Sequence, residues 1–278
     1  MTFSLREISR WFGQPVAHFR FERGTLVERY TSADRTILIG GEEYNPISIA
    51  RGPIREGVDA KRSNVTITLP LKVGEDDVAI ASWWRPYPPS DPVIVTCMAQ
   101  HYGDADVATE WIGRVVAPSY TDTTLKLTCE PSRTSGRRSG LQLKWQRGCP
   151  LALYSQGLGM CNVDKELHAL PAVLTGVTGL MLTAPEFATL PVGRLAGGYI
   201  EWTRPDGLKE FRTIMEHTGA AIVVNYGAAD LSVALEVVAY PGCAHNWADC
   251  TGYFENGDNY GGSMYLPVKN IFDGNPVW

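Results

Sequence analysis

The sequence has no apolar run long enough to cross a membrane. A membrane-spanning helix needs about 20 consecutive apolar residues. The longest candidate, residues 170–187, is shorter than this and contains Pro171 and Pro185. The amino-terminal segment also lacks the apolar core of a secretion signal. We therefore expect no transmembrane segment, and assembly in the cytoplasm of a host cell.

Charge is also scarce. Charged residues make up 20% of the chain and the net charge is −5, below the usual charged fraction of about 25%. The one short basic run, residues 133–138, is too small to predict direct nucleic-acid specificity. Low charge is typical of surfaces that partner chains cover. An all-β protein with Thr, Ser and Gly on its surface has the same composition, so both interpretations stay open.

The first 131 residues show the alternation of β-strands. Val65, Ile67 and Leu69 alternate with polar residues, and the same period of two returns in residues 124–131. Turn signals such as Gly40-Gly41 recur every ten to fifteen residues or so. The pattern predicts a mainly β fold in which residues 1–131 form an antiparallel β-barrel or sandwich-like domain.

One segment interrupts this rhythm. Residues 75–84 predict a short helix that ends at a proline-rich stretch. Trp83, Trp84 and Tyr87 lie there, and they predict either a loop packed over the open end of the barrel or a docking surface.

The second half divides differently. Residues 132–165 are rich in Gly, Ser and Arg and predict a connecting strap, and residues 166–278 predict a smaller, β-rich and loop-rich C-terminal domain. Residues 197–214 are compatible with a hairpin that turns at Pro205-Asp206-Gly207; alternatively, a short helical or extended piece covers residues 208–219. The Gly- and Asn-rich tail after Gly242 cannot build its own core, so it needs an internal staple.

Two cysteine pairs are candidates for that staple. Eleven residues separate Cys149 from Cys161, and six separate Cys243 from Cys250. Four thiolates brought together can hold a metal or a cluster, or they can form two disulfides, which are rare in the cytoplasm. The gaps are wider than those of zinc knuckles. They favour a 4Fe–4S cluster on the four cysteines, with zinc as the alternative.

Three other residues bear on this site. Cys97 and Cys129 lie inside β-type segments and are predicted to be small buried apolar residues outside it. His245 lies close to Cys243 and is a candidate ligand or hydrogen-bond donor to a ligand. As a single His in a polar loop, it is equally compatible with a simple packing role.

The C-terminal residues carry a resemblance to a known family. The string runs Gly242-Cys243, then Cys250, Phe254, Asn256 and Asn259-Tyr260-Gly261-Gly262. It resembles the C-terminal motif of phage tail-tip hub proteins, which occur in siphophage tails and gene transfer agents. The amino-terminal half, with residues 34–36, 40–47 and 64–71, is more loosely similar to the region that precedes this motif. Tyr260 stands where the motif usually has Phe.

The resemblance implies a structural role in a virion tail tip. It implies a homotrimeric ring, or hub, of the baseplate that joins the distal tail protein ring to the central host-recognition protein, with the tape measure protein as a further partner. The L tail-tip protein of lambda-like phages carries an iron–sulfur cluster on C-terminal cysteines. By that resemblance, Cys149, Cys161, Cys243 and Cys250 are the ligands here and the protein is not an enzyme.

An enzyme is the competing interpretation. Cys161 together with His168 or His217 could form the catalytic pair of a cysteine peptidase or cell-wall hydrolase of the tail tip. No third group that would orient the histidine stands at a recognisable spacing. This interpretation also leaves the other three cysteines of the set unused.

Overall fold

The structure is a computed structural model that describes residues 8, 13, 15–55, 63–133 and 145–266. It confirms the predicted mainly β fold, since 42% of the chain is strand and 11% helix. The chain divides into two compact units, residues 1–138 and 139–278. The finer division at residues 131 and 165 stays a prediction, as does the metal cluster. The basic run beyond residue 133 lies outside the described residues.

The first unit is built on a nine-stranded sheet in the order β3-β4-β2-β1-β9-β10-β11-β6-β5. Its pairs are antiparallel except for the parallel pair β2–β4. A separate short pair joins β7 to β8. The strands are β1 (Pro15–Arg23), β2 (Leu26–Thr31), β3 (Ile37–Ile39), β4 (Glu42–Pro46), β5 (Ala50–Arg51), β6 (Val65–Pro70), β7 (Lys72–Val73), β8 (Asp76–Asp77), β9 (Ile94–His101), β10 (Val107–Tyr120) and β11 (Thr124–Pro131).

The alternation seen in the sequence produces the core of this unit. Every second residue of β6 and β11 points inward, and the inward side chains from Val65 to Leu69 and from Leu125 to Cys129 are at most 1% exposed. Cys97 and Cys129 belong to the same core, as their β-type surroundings predict. Gly40 and Gly41 have φ angles of 59° and 86° and form the turn between β3 and β4, because two left-handed residues close a tight hairpin.

The prediction of a helix over residues 75–84 is wrong for most of that range. Gly74, with a φ of 66°, instead turns the chain between β7 and β8, so Glu75 lies in the turn and Asp76 and Asp77 form a strand. A 3-10 helix then covers only Ala79–Ser82 and buries Ile80. Trp83 and Trp84 are partly buried against the core, as in the packed-loop alternative, whereas Tyr87 is 39% exposed.

The second unit contains a seven-stranded sheet in the order β12-β18-β15-β16-β17-β14-β13. All its pairs are antiparallel. Its inward side chains form a core of their own. The strands are β12 (Leu170–Val173), β13 (Gly176–Thr178), β14 (Met181–Thr183), β15 (Tyr199–Thr203), β16 (Lys209–Thr218), β17 (Ala221–Val224) and β18 (Glu236–Tyr240).

Strands β15 and β16 form the hairpin that one of the two sequence interpretations predicted. Gly207 has a φ of 81°, and the Arg204 and Leu208 backbones are joined by a hydrogen bond of 2.8 Å. Side chains of β16 alternate between buried and exposed over most of the strand. Of the alternative, the helical form is therefore wrong, whereas an extended piece agrees with β16.

Helices in this unit are short. One α-helix, α1 (Trp247–Gly252), and 3-10 helices at Lys165–His168, Pro185–Thr189 and Gly257–Asn259 connect the strands and the tail. No helix in the described ranges combines the length and the apolar character that a membrane span requires.

Candidate metal centre

A small core apart from the main sheet joins the residue 145–163 segment to the C-terminal tail within the second unit. Leu151, Cys161, Val163 and Phe254 are buried in it. The partly buried side chains packed against them are Cys149, Leu153, Tyr154, Cys243 and Tyr253. The tail therefore obtains its apolar contacts from a segment about 90 residues earlier in the chain.

All four predicted ligand residues line one pocket at the edge of this core. Cys149, Cys161, Cys243 and Cys250 contribute to its wall together with Leu151, Leu153, Val163, His245, Phe254 and Asn259. Cys250 interacts electrostatically with Cys149 and Cys161, and Cys243 interacts with Cys250. The space enclosed is about 10 Å³, roughly that of one water-sized sphere.

The loops that carry the cysteines turn through unusual backbone conformations. Tyr154, Asn162, His245 and Glu255 have φ angles between 49° and 63°. They are four of the five non-glycine residues with positive φ in the described part of the chain. Such conformations cost about 1–3 kcal/mol each and cluster at functional sites. Their concentration around one pocket indicates that its shape is specified by more than packing.

His245 connects one cysteine of each pair. Its backbone N–H lies 3.3 Å from the Cys243 Sγ, and its carbonyl oxygen accepts a 2.7 Å hydrogen bond from the Cys149 N–H. Its Nδ1 lies 3.1 Å from the Cys149 carbonyl oxygen. The candidate role as a donor near a ligand is thus carried by the backbone N–H of His245.

Asn256 connects the other two cysteines. Its Nδ2 donates a 2.5 Å hydrogen bond to the Cys161 carbonyl oxygen and lies 3.9 Å from the Cys161 Sγ. Its carbonyl oxygen accepts from the Cys250 Sγ at 3.2 Å, and its N–H donates to the Cys250 carbonyl oxygen at 2.8 Å. The sequence motif contains Asn256, but nothing in the pattern indicated this role.

An ion pair holds the helix that presents Cys250. The Arg194 Nη2 lies 2.6 Å from the Asp249 Oδ1, and the Asp249 Oδ2 accepts a 2.8 Å hydrogen bond from the Ala244 N–H. Asn246 caps the helix by accepting from the Asp249 N–H. Neither Arg194 nor Asp249 carries a sequence signal that separates it from an ordinary surface charge.

The glycines of the motif allow close approach of neighbouring segments. A Cβ on Gly242 would lie 2.7 Å from both the Gly197 carbonyl carbon and the Gly198 nitrogen, and one on Gly261 would lie 2.8 Å from the Leu151 Cγ. Cβ atoms essentially never come within 3.0 Å of such atoms. These positions therefore require glycine because of space rather than backbone angle.

Burial makes two of these thiols, Cys243 and Cys250, poor nucleophiles. Desolvation is the main cause that raises the pKa of Cys243 to about 11, and it also raises the pKa of Cys250. Thiols with raised pKa values stay protonated at neutral pH, whereas reactive cysteines have lowered values. A bound cation would reverse this, since it stabilises the thiolate.

The donor set fits a thiolate-bound metal or cluster, but the loops must adjust to hold one. No group of three or more His, Cys, Asp or Glu side chains that could hold a metal ion occurs among the residues that the structure describes. A single zinc ion would therefore need the sulfurs to draw together. A cluster would need the pocket to widen beyond its present volume.

The histidines of the peptidase interpretation have other contacts. His217 is 3% exposed, its Nε2 lies 3.1 Å from the Phe187 carbonyl oxygen, and its Nδ1 accepts from the Leu195 N–H at 3.4 Å. His168 packs its ring against Tyr253 and Phe254. The described contacts do not pair either imidazole with Cys161.

Comparison with known proteins gives two sequence matches. Residues 193–270 match the family described as "Phage conserved hypothetical protein BR0599". A protein of Xylella fastidiosa (strain 9a5c), described as "Uncharacterized protein", is 34% identical over 217 residues. That alignment covers 73% of this chain and 45% of the relative, so the chain spans less than half of the relative's length.

The fold matches a solved structure over nearly its whole length. A chain in "Virion of native gene transfer agent (GTA) particle" superposes with a TM-score of 0.79 at 17% identity. The match covers 99% of this chain and 95% of that chain. The two chains therefore share their fold.

Proposed function

We propose that this chain is a structural protein of a phage-type virion, and that it forms the hub ring of a tail tip. The observation that carries this proposal is the fold likeness to a gene transfer agent virion chain over 99% of the sequence. The phage family match at residues 193–270 supports it independently. Mature chains would then reside in the virion after assembly in the host cytoplasm.

In this role the chain would form a homotrimer between the distal tail protein ring and the central host-recognition protein, near the tape measure protein. Closed rings of identical chains avoid open-ended growth. Each unit has exposed apolar side chains that partner chains would cover wherever they lie at a ring contact: Val116 is 56% exposed in the first, and Leu167 and Val192 are 81% and 72% exposed in the second. Such residues gain stability when a partner covers them.

We further propose that Cys149, Cys161, Cys243 and Cys250 hold a structural 4Fe–4S cluster, with zinc as the alternative. The wide sequence gaps within each pair favour the cluster. Such a group supplies four metal–thiolate bonds between segments that otherwise share only a small core. Its binding energy would then contribute to the folding of the tail.

The same arrangement supports a structural rather than a catalytic role. The described contacts of the two candidate histidines do not pair either with Cys161, since the His217 ring contacts the Phe187 carbonyl oxygen and His168 packs against Tyr253 and Phe254. The raised pKa values of Cys243 and Cys250 also make these two thiols poor free nucleophiles. A Cys161→Ser variant that folds normally but loses a hydrolase activity would contradict this role.

Elemental analysis of the anaerobically purified full-length chain tests the metal proposal. Wild type should contain iron and sulfide and show a visible sulfur-to-iron absorption band, or contain zinc if the alternative holds. Cys161→Ser and Cys243→Ser should lose the metal, whereas Cys97→Ser, which lies in the other core, should keep it. Equal metal content in all four proteins would rule out the assigned ligands.

Particle assembly tests the virion proposal. The chain should co-purify with tails or particles in a fixed stoichiometry, as three copies per tail in quantitative mass spectrometry. Cys243→Ser should reduce its incorporation, and Cys97→Ser should not. Particles that assemble and infect normally without the chain would refute the hub role.

A further inference from the structure

We propose that Asn256 is a positioning residue that holds Cys161 and Cys250 for the metal and tunes the bound group through the Cys161 sulfur. This inference rests on the proposed thiolate-bound group. It concerns a residue for which the motif gives no function. Asn256 is suited to the role because it contacts one cysteine from each pair: its Nδ2 lies 3.9 Å from the Cys161 Sγ, and its backbone N–H donates to the Cys250 carbonyl oxygen at 2.8 Å.

A series of hydrogen bonds fixes which way the Asn256 amide points. The Gly157 N–H donates to the Asn162 Oδ1 at 2.8 Å, and the Asn162 Nδ2 donates to the Asn259 Oδ1 at 3.3 Å. The Asn259 Nδ2 then donates to the Asn256 Oδ1 at 2.7 Å. We call Asn162, Asn259 and Asn256 the asparagine relay.

The direction of the relay is set at its start. A backbone N–H can only donate, so the group of Asn162 that faces Gly157 must be its oxygen. Each following amide is then oriented in turn, and the last one presents its N–H₂ group to Cys161. The acceptors at that end, a carbonyl oxygen and a sulfur, are those that this orientation requires.

This geometry predicts an electronic effect as well as a structural one. An N–H group directed at a thiolate stabilises its negative charge, and hydrogen bonds to cluster sulfurs affect reduction potential. Outer partners of metal ligands typically change metal affinity by about 10- to 100-fold when they are replaced. Asn256 should therefore affect both how long the metal is retained and the energy at which its sulfur-to-metal band absorbs.

The test compares three Asn→Asp variants of the full-length chain, each of which adds the same charge. Asn256→Asp replaces the donor with an acceptor at nearly constant shape. Asn259→Asp removes the donor that orients Asn256. Asn225→Asp is the control, because Asn225 is exposed and only accepts a hydrogen bond from the Tyr226 N–H, which a carboxylate can also do.

Three properties of the purified protein are measured. They are the rate at which a chelator removes its metal, the energy of the sulfur-to-metal absorption band and, if the metal is iron, the midpoint potential. Asn256→Asp should lose metal about 10- to 100-fold faster, with a shifted band and a more negative potential. Asn259→Asp should change in the same direction by less, and Asn225→Asp should match wild type. Since a purely structural role would not move the band or the potential, these readouts identify tuning.

Two results would overturn the inference in distinguishable ways. If wild type holds metal and Asn256→Asp retains it with an unchanged rate and band, the positioning role is wrong and the metal centre stands. If Asn256→Asp does not fold, Asn259→Asp decides by the same criterion. If wild type binds no metal, both the metal centre and this inference fail.

Discussion

Gly242→Ala tests whether the position of the loop that carries Cys243 depends on its close contact with residues 196–198, just before β15. A Cβ at residue 242 would lie 2.7 Å from two backbone atoms, in Gly197 and Gly198, and closer still to the Ala196 carbonyl oxygen. Backbone atoms cannot rotate away as a flexible side chain can. The loop that carries Cys243 must therefore move away from the sheet.

The expected cost follows from overpacking. Extra methyl groups in well-packed sites destabilise by about 1–3 kcal/mol, and contact with the backbone favours the upper part of that range. For a unit of this size, each kcal/mol lowers the melting temperature by about 4 °C. We expect the second unit to melt about 8–12 °C lower, and the first unit to be unaffected. Differential scanning calorimetry of the full chain measures both transitions.

Gly252→Ala is the matched control. A Cβ at Gly252 meets no atom within 4 Å, and alanine in a helix is favoured over glycine by about 0.5–1 kcal/mol. Gly198→Ala should resemble Gly242→Ala. The double variant should lose less stability than the sum of the two single losses, because each alanine forces the same two segments apart. If Gly242→Ala melts at the wild-type temperature, the close approach of these two segments is not real.

Three further predictions address each unit and the metal. Burial lowers the pKa of His18 from 6.5, so the unfolded chain binds that proton more tightly than the folded chain does. The stability of the first unit should therefore be complete above about pH 6.5 and fall as the pH drops through 6.5 towards the lowered pKa, with a smaller fall in His18→Gln. Identical denaturant midpoints at pH 5 and pH 7.5 would contradict this. Glu210→Gln should cost about 3–5 kcal/mol in urea unfolding because the buried Arg212, 3.0 Å away, and Arg204, 3.3 Å away, lose the negative charge of this shared partner, and a loss below about 1 kcal/mol would show that the charges are not coupled. Chelation of the metal should expose residues 242–266 to protease before any cleavage of the first unit, and equal cleavage with and without chelator would refute a structural role for the metal.

Local patterns in the sequence predict much of the fold. Val65, Ile67 and Leu69 alternate because one face of β6 is buried, and that requirement is visible without any partner strand. Gly40-Gly41 and Gly207 mark turns because few other residues adopt positive φ at low cost. The sequence also places Cys97 in a core rather than in the site.

Other features depend on contacts that the sequence does not display. The strand β8 forms at Asp76–Asp77 because Gly74 reverses the chain, although acidic residues before an apolar stretch usually indicate the start of a helix. The order of strands in each sheet depends on pairing between distant residues. Likewise, Arg194 and Asn256 gain their roles from partners 55 and 95 residues away.

Because the tail packs against residues 145–163, these two parts of the chain should be exchanged together when related genes recombine. The stretch that matches the phage family, residues 193–270, contains Cys243 and Cys250 but neither of the two cysteines that face them. A recombination crossover placed between residues 164 and 192 would separate Tyr154 and Cys161 from Phe254 and Asn256, which they contact. Functional chimaeras should therefore inherit both halves of the pocket from one parent, with their junctions upstream of residue 145.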